Sequence, residues 1–228
     1  MRLRGLLEHI FLIMLVVFTH FASAAAQDMS KDSERLPQVW DISFEGNITY
    51  TSVVLKNQIA TEAPGFGEKL KFWNKTGFEL SEKEIKRDVI RLRNYYQRRG
   101  FINVEVEYRV KTANKEWKKE VVFTIKENNP INIQDVEYEI KGEDKNVRQI
   151  WESRAFTRAQ SRHIYQQGNR YEMIKKPEVV GQFSDVMKNL GYAYVDVNVD
   201  AALDSSALSA DVIIKADLGP RTYIDSIK

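Results

Sequence analysis

Arg99-Gly100-Phe101-Ile102-Asn103-Val104-Glu105-Val106 returns 91 residues later as Leu190-Gly191-Tyr192-Ala193-Tyr194-Val195-Asp196-Val197. In both copies a glycine closes an amphipathic stretch, an aromatic residue follows, and a strict alternation of apolar and polar residues begins. The same offset carries Val104, Val106 and Tyr108 onto Val195, Val197 and Val199. A second landmark, Val39-x-Asp41-Ile42, recurs as Ile133-x-Asp135-Val136 and again as Ile224-x-Ser226-Ile227. A solenoid rung repeats every 20–50 residues or so, and this period is far longer, so each copy is expected to be a small domain with its own core. The third landmark falls at the end of the chain, which is therefore read as the front of something longer.

Working outward through the first copy, residues 39–44 alternate as a short strand with one buried face. Gly46-Asn47 turns the chain, and Thr51 or Ser52 caps a helix that sets Val54, Leu55, Gln58 and Ile59 on one side. Residues 63–80 are irregular. Ser81-Glu82-Lys83-Glu84 is a capping box, and Ile85, Val89, Leu92 and Tyr96 then step along one helical face to Gly100. The following strand places Ile102, Val104, Val106, Tyr108 and Val110 inside, with Asn103, Glu105, Glu107 and Arg109 outside. A turn over 112–116 leads to the returning strand at 121–125.

The second copy repeats this order. Residues 133–140 form its first strand, and Val147, Ile150 and Trp151 mark its first helix. Pro177 suits the first turn of the second helix, where Val179, Phe183, Val186 and Leu190 face inward. Val195, Val197 and Val199 line the next strand, and residues 203–206 turn it into Ala210, Val212 and Ile214. The fold class is therefore α+β: tandem β-α-α-β-β modules, each a three-stranded mixed sheet covered on one face by two helices.

Residues 1–26 read as a secretory signal peptide. Arg2 and Arg4 precede an apolar run over 10–18, and small residues follow at 22–26. Residues 27–37 are then a flexible N-terminal segment, 38–128 a first domain, 129–217 a second, and 218–228 the start of a truncated third. The formal net charge is +2, which gives no electrostatic reason to expect nucleic acid as a partner. The sequence has no cysteine, so disulfides and thiolate metal sites are excluded. No second apolar run follows the leader, and no series of alternating segments is long enough to close a transmembrane barrel.

An exported β-α-α-β-β unit, repeated in tandem with a glycine-aromatic step before its second strand, resembles the POTRA domain. Tandem copies behind a signal peptide resemble the BamA/TamA family of outer-membrane protein assembly factors, with the family's barrel missing from this chain. The resemblance implies a location at the periplasmic face of the outer membrane and a chaperone-like role in protein insertion into that membrane. It also implies unfolded outer-membrane proteins as clients, envelope assembly proteins as partners, and binding by β-augmentation. The receiving edge is implied to be the strand after the second helix. Here that means residues 102–110 and 193–200, with Ile102, Val104, Val106, Tyr108, Val110, Val195, Val197 and Val199. The alternatives are the periplasmic arm of a secretion transporter, or a non-catalytic interaction module of an envelope complex.

No enzyme is expected, and no cofactor or metal. There is no Gly-x-Ser-x-Gly elbow, phosphate loop or dinucleotide fingerprint. His163, the one histidine beyond the leader, lies in a polar stretch and reads as a surface residue. Glu105 and Glu107 read as a solvated strand face, and Lys86, Arg87, Arg91, Arg93, Arg98 and Arg99 as a wet helix face or a patch for an acidic partner. Within 63–80, Phe66, Phe72, Trp73 and Phe78 have two readings: rings that seal the end of the first domain, or an apolar lip that contacts clients.

Overall fold

The computed structural model describes residues 35–69 and 78–223. The stretch expected to be a signal peptide (residues 1–26), most of the 27–37 segment and the last five residues of the 218–228 tail lie outside them. From residue 35 the chain runs β1 (Gln38–Glu45), α1 (Ser52–Lys56), α2 (Phe66–Lys69), α3 (Glu82–Gln97), β2 (Glu105–Thr112) and β3 (Lys118–Lys126). It continues as β4 (Asn132–Lys141), α4 (Asp144–Trp151), α5 (Arg154–Arg162), a 3-10 turn at Met173–Lys175, α6 (Lys176–Asn189), β5 (Asp196–Asp204) and β6 (Ser209–Asp217).

Two three-stranded sheets form, ordered β1-β3-β2 and β4-β6-β5, and they share no strand. In each, the last strand in sequence takes the centre and runs parallel to the first. A parallel neighbour requires a crossover, and the helices between the first and second strands provide it. The Val39-x-Asp41 landmark has a structural meaning. The register of β1 on β3 shifts between Val39 and Asp41, and that of β4 on β6 shifts between Ile133 and Asp135. The repeated motif thus encodes the same irregularity twice, one residue slipping out of the ladder near the start of each sheet.

Helix α3 begins where the capping box predicts, with the Glu84 amide donating to Ser81 Oγ at 3.3 Å. The Glu84 carboxylate pairs with Arg87 at 2.9 Å. The buried stripe of α3 is Ile85, Asp88, Leu92 and Tyr96, so a carboxylate sits among apolar residues on the inward face. Gly100 and Gly191 end the long helices with φ of +95° and +99°, a left-handed turn that a side chain would strain. The period read from sequence also appears in hydrogen bonds. The Ile131 amide donates to the Gly100 carbonyl at 2.8 Å, and the Thr222 amide to the Gly191 carbonyl at 2.8 Å.

Several expectations change in detail. α1 stops at Lys56 and buries only Leu55, leaving Val54 37% exposed, so the expected face through Gln58 and Ile59 does not form as helix. β2 starts at Glu105 and β5 at Asp196, so Ile102, Val104 and Val195 belong to the approach rather than to the strand. Two helices depart from the sequence expectation: the short α2 within the stretch expected to be irregular, and, in the second module, α5. Its inward face is only Phe156 and Ala159, too short a pattern for periodicity to register. Ser153 caps it, accepting from the Ala155 amide.

By contact, the chain separates into two units. The second takes in Gly46–Thr49 and Ile90–Val106 as well as everything from Ile125 onward. The core around the second sheet is built from Ile133, Ile150, Phe156, Phe183, Val199 and Val212, with Tyr138 and Val147 packed at its margin.

Candidate functional site: the open sheet edges

Each sheet has two outer strands, and the chain treats them differently. Residues 78–80 cover the first part of the β1 edge. The Val39 amide donates to the Phe78 carbonyl at 2.7 Å, and the Leu80 amide to the Pro37 carbonyl at 2.9 Å. Residues 168–171 do the same for β4, with the Ile133 amide donating to Asn169 at 2.8 Å and the Tyr171 amide to Ile131 at 2.9 Å. Bridges Gln38–Glu79 and Asn132–Arg170 mark the two equivalent places. β2 and β5 are the opposite ends of the two sheets, and no strand among the described residues pairs with their outer sides. An unpaired strand edge is a template for another polypeptide.

The residues expected to form these edges divide by face. Val104, Val106, Val197 and Val199 are buried beneath the helices. Ile102, Tyr108 and Val195 are half-buried, and Val110 is exposed. What β2 and β5 offer an incoming chain is therefore chiefly their backbone and their outward side chains, since Val104, Val106, Val197 and Val199 are already packed into the core, while Val110, expected inside, stays exposed.

The outward face of β2 carries cross-strand polar pairs. Arg109 reaches across the sheet, donating to both carboxylate oxygens of Glu45 at 2.6 Å and to Thr124 Oγ1 at 3.1 Å. Lys126 pairs with Glu105 at 2.8 Å, and the Asn128 side chain donates to the Asn103 carbonyl at 2.7 Å. From the other face, the Tyr108 hydroxyl donates to Glu82 at 3.0 Å in the first turn of α3. Lys86, four residues on, holds the Glu82 carboxyl below its usual range, with Tyr108 adding to the effect. On β5, Lys215 pairs with Asp200 at 2.9 Å and lowers its carboxyl in the same way.

The 63–80 segment is described in part. Phe66 opens α2, Phe72 and Trp73 lie outside the described residues, and Phe78 is half-buried. Phe78 also borders a depression of about 360 Å³ lined by Lys56, Ile59, Thr61 and Glu62.

Among the described residues three polar groups are buried: His163, which was expected at the surface, and Asp88 and Glu127, which the sequence did not single out. His163 is 3% exposed, not a surface residue. It caps α5 and packs its ring against Phe183, with centroids 5.4 Å apart. Asp88 accepts from the Ala60 and Thr61 amides at 2.8 and 2.9 Å and from the Thr61 hydroxyl. Glu127 accepts from the Thr49 amide at 2.8 Å, the Thr49 hydroxyl and the Tyr96 hydroxyl. Both carboxylates serve as acceptors for loop backbone, a locking role. Glu127 had a legible signal, since it continues the inward alternation Val121, Phe123, Ile125. No group of three or more His, Cys, Asp or Glu among the described residues could hold a metal ion. No helix among them is long and apolar enough to cross a membrane.

Residues 37–128 match the family model for POTRA, described as a surface antigen variable number repeat. The chain is 21% identical over 201 residues to the outer membrane protein assembly factor BamA of Neisseria meningitidis serogroup B, an alignment covering 88% of this chain and 24% of that protein. It thus spans about a quarter of the length of that curated relative. Among solved structures, it aligns with POTRA3-5 of Haemophilus influenzae BamA at 14% identity and a TM-score of 0.40, covering 82% of this chain and 68% of that one. It also aligns with POTRA1-2 of Omp85 from Anabaena at 14% identity and a TM-score of 0.34, covering 82% and 99%.

Proposed function

We propose, on the premise that this chain carries POTRA domains of the BamA/TamA family, that it is the periplasmic region of an outer-membrane β-barrel assembly factor and holds unfolded clients by strand addition. Residues 1–26 export it, and a membrane-embedded portion outside this sequence anchors it at the periplasmic face of the outer membrane. The role is that of a non-catalytic scaffold with chaperone-like character. Its partners are unfolded outer-membrane proteins and envelope assembly proteins.

One observation carries the reading. The chain uses its own residues 78–80 and 168–171 to cover part of the β1 and β4 edges and leaves β2 and β5 as sheet ends. An extended client would continue either sheet, its inward side chains beside the helix-covered core and its outward ones toward water. The magnitudes favour transient holding. Each new backbone hydrogen bond contributes about 0.5–1.5 kcal/mol net, while ordering the client costs about 1–2 kcal/mol per residue. The two nearly cancel, which suits a site that must pass its client on.

Photo-crosslinking tests this. A photoreactive residue at Glu107 or Asn198, both exposed on the outward faces, should capture an unfolded outer-membrane polypeptide. The same probe at Lys188 on α6 should not. Equal capture from all three positions would overturn the edge reading.

A further inference from the structure

The two open edges differ in charge. On β2 the outward charges balance in number, Glu105 and Glu107 against Arg109 and Lys111, and two of them are paired within the sheet, Glu105 with Lys126 and Arg109 with Glu45. On β5 the outward positions are Asp196, Asn198, Asp200, Ala202 and Asp204, and Lys215 pairs with Asp200 alone among these aspartates. Asp196 stands directly opposite Asp217 in the β5–β6 ladder, a like-charge pair of the kind that weakens an antiparallel sheet. The same face continues into β4 with Asp135, Glu137 and Glu139, in register with Asp211, Ile213 and Lys215, and Lys141, in register with Asp217, is the one cation β4 adds to it. Folding gains nothing from this surplus of negative charge, and an incoming cationic strand would relieve it.

We propose that the β5 edge selects extended segments that carry lysine or arginine on their outward-facing alternate positions, while the β2 edge is indifferent to client charge. The inference rests on the strand-addition reading above and narrows its clients at one of the two sites. Side chains alternate along a strand, so a segment laid beside β5 sets every second residue level with the aspartate row. Asp196, Asp200 and Asp204 recur every four residues, about 13 Å apart along an extended chain. A client with basic residues at that spacing meets all three at once. Its intervening residues lie beside Val197 and Val199, on the core side.

The test uses three extended peptides of equal length, identical at the inward positions and bearing lysine, serine or glutamate at the outward ones. Each is titrated into isotopically labelled protein while the amide resonances are followed residue by residue. The lysine peptide should shift the β5 amides and bind about fivefold to tenfold more tightly there than the glutamate peptide, since each exposed ion pair contributes little. The gap should close at about 0.5 M salt, where charges are screened within a few ångström. It should also close in the Asp196→Asn, Asp204→Asn double variant, which keeps the side-chain acceptors of the Ser206 and Ala207 amides. All three peptides should shift β2 alike. Equal shifts of β5 by the lysine and glutamate peptides would overturn the charge selection and leave strand addition standing, whereas a lysine peptide that shifts only helices would overturn the charge selection without supporting strand addition. If no peptide moves either edge, strand addition itself fails and the charge selection with it.

Discussion

The Tyr138 hydroxyl and His163 Nε2 share a hydrogen bond of 2.6 Å between the first strand of the second sheet and the end of α5. Tyr138 is also ringed by Trp151, Phe156 and Phe183, at centroid distances of 6.5, 5.9 and 5.7 Å. The polar pair is set in an aromatic shell, and His163 Nδ1 has no hydrogen-bond partner there. Burial pushes the imidazole down from its ordinary value to about 4 and the Tyr138 phenol up to about 12. Both groups are therefore neutral at physiological pH.

This sets a pH dependence. Below the ordinary histidine value of 6.5 the unfolded chain takes up a proton that the folded chain refuses until about pH 4. Stability contributed by the neutral histidine is complete above pH 6.5 and is lost as pH falls toward 4, by up to about 1.4 kcal/mol per pH unit. His163→Gln keeps a partner for Tyr138 and removes the titration. Urea unfolding at pH 7, 6, 5 and 4.5 should show a shallower decline for the variant; parallel curves would contradict the assignment.

Asp88 should be costly to neutralise although it lies on a helix and not on a proposed binding edge. Its two oxygens take three hydrogen bonds from residues 60 and 61. Asp88→Asn turns one oxygen into an amide facing a donor and should cost about 2–3 kcal/mol by chemical denaturation. Hydrogen exchange should localise the extra opening to residues 57–63.

Phe156 is 1% exposed and stacks edge-on against Trp151 and Phe183. Phe156→Ala should lower stability by about 3–5 kcal/mol, the usual cost of emptying an aromatic site in a core. A loss below about 1 kcal/mol would mean that α5 is peripheral to the fold.

Arg109 offers the opposite case. Its pair with Glu45 has good geometry, yet the side chains are 45% and 47% exposed. Arg109→Met should therefore change the unfolding free energy by no more than about 1 kcal/mol. Whatever effect remains should shrink on adding salt, and thermal scans at low and high ionic strength would show it.

Much of this architecture is legible in the residues alone, for a specific physical reason. Strands with one buried face must alternate, and helices on a sheet must carry an apolar stripe, so Val104, Val106, Val197, Val199, Ile85 and Leu92 announce their own burial. Gly100 and Gly191 announce the ends of helices because their backbone angles exclude most side chains. α5 was illegible because two inward residues make no period. His163 was misread because its sequence neighbours are polar, while the groups that bury it, Tyr138 and Phe183, lie 25 and 20 residues away. Asp88 sat in plain view on the stripe of α3, but its donors come from a loop 27 and 28 residues earlier.

The sequence by itself determined that the chain holds two copies of one α+β build, that α3 and α6 end at Gly100 and Gly191, and which face of β2 and β5 carries the buried valines. Those properties follow from local periodicity and backbone preference, which neighbouring residues carry in full. Only the tertiary structure decided which sheet edges stay open, that like charges meet at Asp196 and Asp217, and that a histidine among polar neighbours lies in an aromatic core. Each of these depends on segments distant in sequence being brought side by side, and strand order and register set that pairing.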